Sequence, residues 1–192
     1  MASFYRAQMK NFCPEIRTWD AKEGHFWDTA LAGSSSLQGA VARALKVENA
    51  CVRGAHVGHE LWDMAKFYDS IDLTILCQEL IKRNLPKPLM LTGFFVHAAP
   101  RILRVGKCFG PVIHSCGKSI LAGCQLSCSF ARGMLWELTA KLATADPEYP
   151  CAQHLDDLSH VLVGETEGEL KGKLVKAGKI VGEEVSRLKL NI

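Results

Sequence analysis

Three aspartates are the residues of this chain best suited to chemistry: Asp63, and far downstream the adjacent pair Asp156-Asp157. Asp63 follows Leu61-Trp62 at the end of a short strand. The pair lies between two stretches with strand character, 151–154 and 158–163, so a hairpin carrying it at its tip is expected. A carboxylate ending one strand and facing a pair on a neighbouring hairpin suits a hard divalent cation, because magnesium takes oxygen ligands, keeps water and needs few carboxylates. Two such ions roughly 3.5–4 Å apart can stabilise both the attacking and the departing oxygen of an in-line displacement at phosphorus. An isolated Asp-Asp pair is more often a solvated turn, and a lone Asp after a strand is more often a helix cap. Only their joint occurrence in this order carries weight.

Positioning those groups requires a mixed fold. Residues 1–35 read as an irregular segment, with Pro14, scattered aromatics and the run Gly33-Ser34-Ser35-Ser36. Residues 36–192 read as the working domain. Within it, Ser36 can cap a helix from Leu37 to Cys51, and Ser70 or Asp72 can cap another from Leu73 to Asn84 that Pro86 and Pro88 stop. Residues 89–96 read as a strand, and 101–105 as another. A Gly-containing stretch, 117–123, leads into a helix over 127–143, and the charged segment 165–187 is helical with Leu170, Leu174, Ile180 and Val181 on its apolar face. The order predicts an α+β fold.

Three motifs stand in sequence: Asp63-x-x-Lys66-x-Tyr68-Asp69-x-Ile71, then Gly123-Cys124-x-Leu126-Ser127, then His154-x-Asp156-Asp157. Together they resemble the palm of reverse transcriptases, nearest the group II intron and non-LTR retrotransposon branches, over about residues 36–191. The resemblance implies a polymerase palm, an antiparallel sheet with helices on one face, plus part of the fingers and no thumb. It implies an RNA-directed DNA polymerase that extends a DNA primer on an RNA template, using deoxynucleoside triphosphates and two Mg2+ ions. By the same resemblance, Asp63, Asp156 and Asp157 are the metal-binding catalytic carboxylates. Tyr68 is the aromatic gate under the sugar, Lys66 and Gly123 belong to the nucleotide-binding surface, and Leu188-Lys189-Leu190-Asn191 is the segment after the palm's second helix. Two positions depart from the pattern: His154 replaces the usual Tyr or Phe, and Ala122 replaces the Gln before the Gly. The alternative is therefore a catalytically silent module of the same kind that binds RNA or a partner protein. Without a thumb, phosphate contacts that hold primer and template would be few.

Composition sets further bounds. Apolar residues make up 48% and charged residues 22%, as in ordinary globular domains, and the net charge of +3 is too small to argue for nucleic acid. Its distribution says more: Lys82, Arg83, Lys87, Arg101, Arg104, Lys107 and Lys118 fall in a stretch with no Asp or Glu between Glu79 and Glu137. No apolar run could serve as a leader or span a bilayer, so no membrane role and an intracellular, reducing compartment, nucleus or cytoplasm, are expected, with most of the eight cysteines buried as small hydrophobes. Cys124 and Cys128 lack a second pair for structural zinc. Gly117-Lys118-Ser119 lacks the upstream Gly of a phosphate-binding loop, because Val112 stands there. His59-Glu60 lacks the spacing of a zinc deaminase.

Overall fold

The computed structural model describes residues 3–115 and 117–192; Cys116 lies outside them. In chain order the elements are helices α1 (Ser3–Glu23) and α2 (Ser36–Val52), strand β1 (His56–Trp62), helices α3 (Phe67–Ser70), α4 (Leu73–Lys82) and α5 (Lys87–Ala98), strands β2 (Arg101–Val105) and β3 (Cys108–Ile113), helix α6 (Ser127–Ala145), strands β4 (Ala152–His154) and β5 (Asp157–Gly164), and helix α7 (Glu167–Leu188). The fold is α+β. A three-stranded antiparallel sheet has the order β1-β5-β4, and β2 and β3 form a separate hairpin.

The central sheet is amphipathic in the sense its alternation dictates. Gly58, Leu158 and Leu162 face α6 and α7. There, Leu158 and Leu162 join the main core with Leu138, Leu142, Ala177 and Val181, and a Cβ at Gly58 would touch Leu170 and Leu174. Val161 and Val163 point the other way, into a small second core with Ala50 and Tyr149 on which Val47 of α2 also packs. Helices therefore cover both faces, not one, but α2 covers only the Val57 end of the second face. The other end, where β1 finishes at Trp62, stays open.

Local signals account for several elements. Asp72 caps α4 by accepting from the amides of Thr74 and Ile75, and it places Leu73, Leu76 and Leu80 in the core. Ser35, one residue before the expected cap, accepts from Gln38 to start α2. At the start of α7 the Thr166 hydroxyl accepts from Glu169 N, and the Glu169 carboxylate reaches back past the cap to accept from Glu165 N.

Two expectations are corrected. Residues 3–23 are helical, not irregular: Tyr5, Met9, Phe12, Ile16 and Trp19 recur at spacings of four and three, and this stripe packs into the core. Its burial outweighs the break that Pro14 suggests. Residues 89–96 belong to α5, not to a strand. Pro86 caps α5 and Pro88 sits in its first turn, where its missing N–H costs nothing, while α4 has already ended at Lys82, where Asn84 turns left-handed (φ 53). Leu89, Gly93 and His97, one turn apart, form its buried face.

Gly93 brings α5 close to α6. A methyl group there would collide with Phe130 Cζ and lie 3.0 Å from Leu126 Cδ1, both on fully buried side chains. Gly93→Ala should therefore lower stability by about 1–3 kcal/mol through overpacking, against a helix-propensity gain of at most about 1 kcal/mol. Urea unfolding with an unchanged m-value measures the balance, and a more stable variant would mean that the helices can part freely.

Cysteine burial also differs from expectation. Among the seven described cysteines, all free, only Cys124 and Cys151 are buried. No helix among the described residues is long and apolar enough to cross a membrane.

Candidate active site

The antiparallel register positions the aspartates. Trp62 pairs with Leu158 as the last rung of β1 on β5, so Asp63, one step further, stands across from Asp157. On the other side of β5, Asp157 pairs with His154 of β4. Side chains of opposed residues share a face, which puts Asp63, Asp157 and His154 on the open face of the sheet. Leu155 and Asp156 make the hairpin tip, with Leu155 held at φ 57, a conformation that non-glycine residues rarely adopt. The clamp is Gln153: buried, it donates from Nε2 to the Leu155 carbonyl at 3.0 Å.

The carboxylates feel one another. Asp156 is half-buried, and burial raises its pKa above the ordinary aspartate range. The negative charges of Asp157 and Asp63 push it further up, while the Asp156 amide and His154 pull it down. Asp63 and Asp157 are exposed. Among the described residues no Lys or Arg forms an ion pair with any of the three, and no three Asp, Glu, His or Cys side chains are already gathered tightly enough to hold an ion. Three oxygen-bearing, uncompensated carboxylates within electrostatic reach fit a hard divalent cation that brings its own water ligands.

Tyr68 joins this group. It is half-buried against the core, and burial lifts its hydroxyl to about 12, with the charges of Cys128 and Asp156 adding to the shift. Its ring meets Phe67 edge-on. Among the described residues Lys66 forms no ion pair with the carboxylates. It takes a left-handed conformation (φ 49) that turns the chain into α3, where its carbonyl accepts from the amides of Asp69 and Ser70 at 2.9 Å.

The stretch before α6 is laced alongside. Leu73 N donates to Gly117 O, Ser119 N to Ile71 O and Ile120 N to Tyr68 O, all at 2.8–2.9 Å. Gly123 lies in the turn that follows, at φ +78 with open space where a side chain would project, so backbone conformation rather than crowding demands glycine here. The turn hangs on His97. This fully buried imidazole has its pKa drawn down to about 4 by burial and by Arg101, so it is neutral and accepts at Nδ1 from Leu121 N at 2.9 Å. Beyond α7, the Asn191 carbonyl accepts from Ala65 N at 2.9 Å, so the Leu188–Asn191 segment braces the loop that follows Asp63.

A cleft of about 440 Å³ runs over the open sheet face from Asp63 and Asp157 towards Arg43. Its walls include residues that carry no sequence signal. Thr29 reaches it because residues 27–29 run beside β4, with Thr29 N donating to Gln153 O and Gln153 N to Trp27 O. The Thr29 hydroxyl donates to Gln153 O at 3.0 Å and lies 3.0 Å from His154 Nδ1. With that proton committed to Gln153 O, the contact with His154 needs Nδ1 as the donor. His59 and Ser159 meet at 2.8 Å further along. The anchor for residues 27–29 is Arg132 of α6, buried and paired with Asp28 Oδ2 at 2.5 Å and with Asp20 of α1.

The chain matches no known family model and no curated protein.

Proposed function

We propose that this chain carries the palm of a reverse transcriptase and transfers deoxynucleotides to a primer 3′-hydroxyl on an RNA template. The observation that carries it is that Asp63, Asp157 and Tyr68, from two stretches far apart in sequence, all lie within electrostatic reach of Asp156, with Asp63 and Asp157 lining one end of an open cleft; the Gly123 segment lies alongside through the Ile120–Tyr68 hydrogen bond. Asp63, Asp156 and Asp157 would hold two magnesium ions, as their uncompensated oxygens suit. Bound there, the ions supply charge stabilisation to attack by the primer oxygen and departure of pyrophosphate.

The remaining work falls to the protein. On this reading Tyr68, packed against the core, would lie under the sugar and exclude a 2′-hydroxyl. Gly123 lets the backbone come close to a base or template strand. His154, oriented by Thr29, offers a hydrogen-bonding edge where the family offers an aromatic ring. Primer phosphates would find donors along the cleft in Ser159, His59 and Arg43.

A template-primed incorporation assay with magnesium, with Asp156→Ala as control, tests the proposal. Aspartate-dependent incorporation of deoxynucleotides supports it. RNA binding without incorporation supports instead the catalytically silent module that His154 and Ala122 favour. For Tyr68, we expect Tyr68→Ala to relax the preference for deoxy- over ribonucleotides by about 10–100-fold in kcat/KM, while Tyr68→Phe keeps it. Because the readout is a ratio for one variant, general loss of stability cancels; an unchanged ratio would remove the gate assignment.

A further inference from the structure

We propose that the β2–β3 hairpin is a docking surface for an unpaired nucleic-acid strand. Its place at the rim of the carboxylate cleft rests on the function proposed above; its choice of occupant rests on the hairpin's own chemistry.

Neither face of this hairpin is covered. Every residue of β3 and all but the first of β2 are exposed, including Ile102, Leu103, Val105, Phe109, Val112 and Ile113. An isolated two-stranded hairpin is marginal in water, and a contiguous apolar patch of this kind marks a contact surface. The register shows how one face is composed. Ile102 pairs with Val112 and Arg104 with Phe109, so Gly110 and Pro111 together oppose the single residue Leu103. This bulge brings Phe109 and Val112, three apart in sequence, to one face beside Arg104 and Ile102. There the Arg104 guanidinium lies 5.5 Å from the Phe109 ring centroid, steadied by Arg104 Nε donating to Gly106 O at 2.8 Å.

An arginine-flanked exposed ring in an apolar setting stacks on bases, and cations nearby meet phosphates. Arg101, Lys107 and Lys118 supply further positive charge, in a stretch with no acidic residue between Glu79 and Glu137. An acidic peptide or a lipid surface would use the charge but leave the Phe109 platform without flat π partners. Position agrees: the chain leaving β3 reaches Lys118, which bridges Asp72, and then Ile120, bonded to Tyr68.

Fluorescence anisotropy of the full chain with labelled oligouridylate, oligothymidylate and a duplex of equal length tests this. Phe109→Ala should weaken single-strand binding roughly tenfold, Phe109→Tyr should restore it, and Arg104→Ala should lower the salt slope by about 0.7. The two single-stranded arms show whether RNA or DNA is preferred. Unchanged affinity and slope in both alanine variants overturns the proposal. So does equal weakening on duplex, or loss of self-association by sedimentation with strand binding intact. Incorporation is measured on the parent chain in parallel, so failure of the polymerase reading appears as absent incorporation and failure of this one as indifferent hairpin variants.

Discussion

Asp156→Asn should abolish templated incorporation, by about 10³-fold or more, while melting no lower than the parent chain at neutral pH without metal. The two outcomes share one cause. Burial and the charges of Asp157 and Asp63 hold the Asp156 pKa above its unfolded value. For a group shifted in that direction, the stability it contributes is fully present below its unfolded pKa and is lost as pH rises through the folded one. At pH 7 the charged carboxylate therefore costs stability, and the neutral amide removes that cost. The same repulsion would make the group useful: magnesium should raise the melting temperature of the parent chain by mass action and leave that of Asp156→Asn where it was. Melting curves at pH 5 and pH 7.5, with and without magnesium, separate the contributions. A variant that melts lower at neutral pH would instead make Asp156 a structural group of the hairpin turn.

Arg132→Ala should cost about 3–5 kcal/mol, because it leaves two carboxylates without their buried counter-charge. Asp28 is almost wholly buried, and Asp20 is largely so and further held by Ser129 Oγ at 3.1 Å. Burial already holds the Asp20 pKa above its unfolded value, with Arg132 pulling it down, so without Arg132 it would rise further. By the sign rule above, the variant's deficit should then shrink as pH falls towards the unfolded aspartate range and widen at neutral pH. Urea unfolding at pH 5 and pH 7.5 measures this. Arg132→Lys should recover only part of the loss, since an ammonium cannot reproduce a guanidinium fork shared between two carboxylates. The consequence should reach the cleft: Arg132 anchors Asp28, and the next residue, Thr29, holds both Gln153 O and His154 Nδ1. Loosened, that edge should weaken primer-dependent activity beyond the loss of folded protein, read as a raised KM in the soluble fraction.

These two residues mark what could be read from the chain and what could not. The sequence alone determined the α+β class, the α4 helix with its cap narrowed to Ser70 or Asp72, the strand before Asp63, the hairpin with Asp156 at its tip and the amphipathic α7. Each of these is written in residues within a few positions of one another, where caps, turns and apolar period act. It also singled out Asp63, Tyr68, Asp156 and Asp157, the residues on which the proposed function rests. Folding decided the rest. The helical stripe of α1 was legible in principle but hidden by Pro14, and α5 was apolar on so many sides that period could not tell helix from strand until Gly93 met Phe130. Arg132, Asp28 and Thr29 look like ordinary surface polar residues in sequence; their partners stand more than a hundred positions away, and burial alone turns them into an anchor. The charge of Asp156 is the sharpest case. Its identity is local, but its acidity depends first on burial in the folded chain and then on the charges of the adjacent Asp157 and of Asp63, which β1 brings to the hairpin, because electrostatic interaction follows distance in space and not separation along the chain.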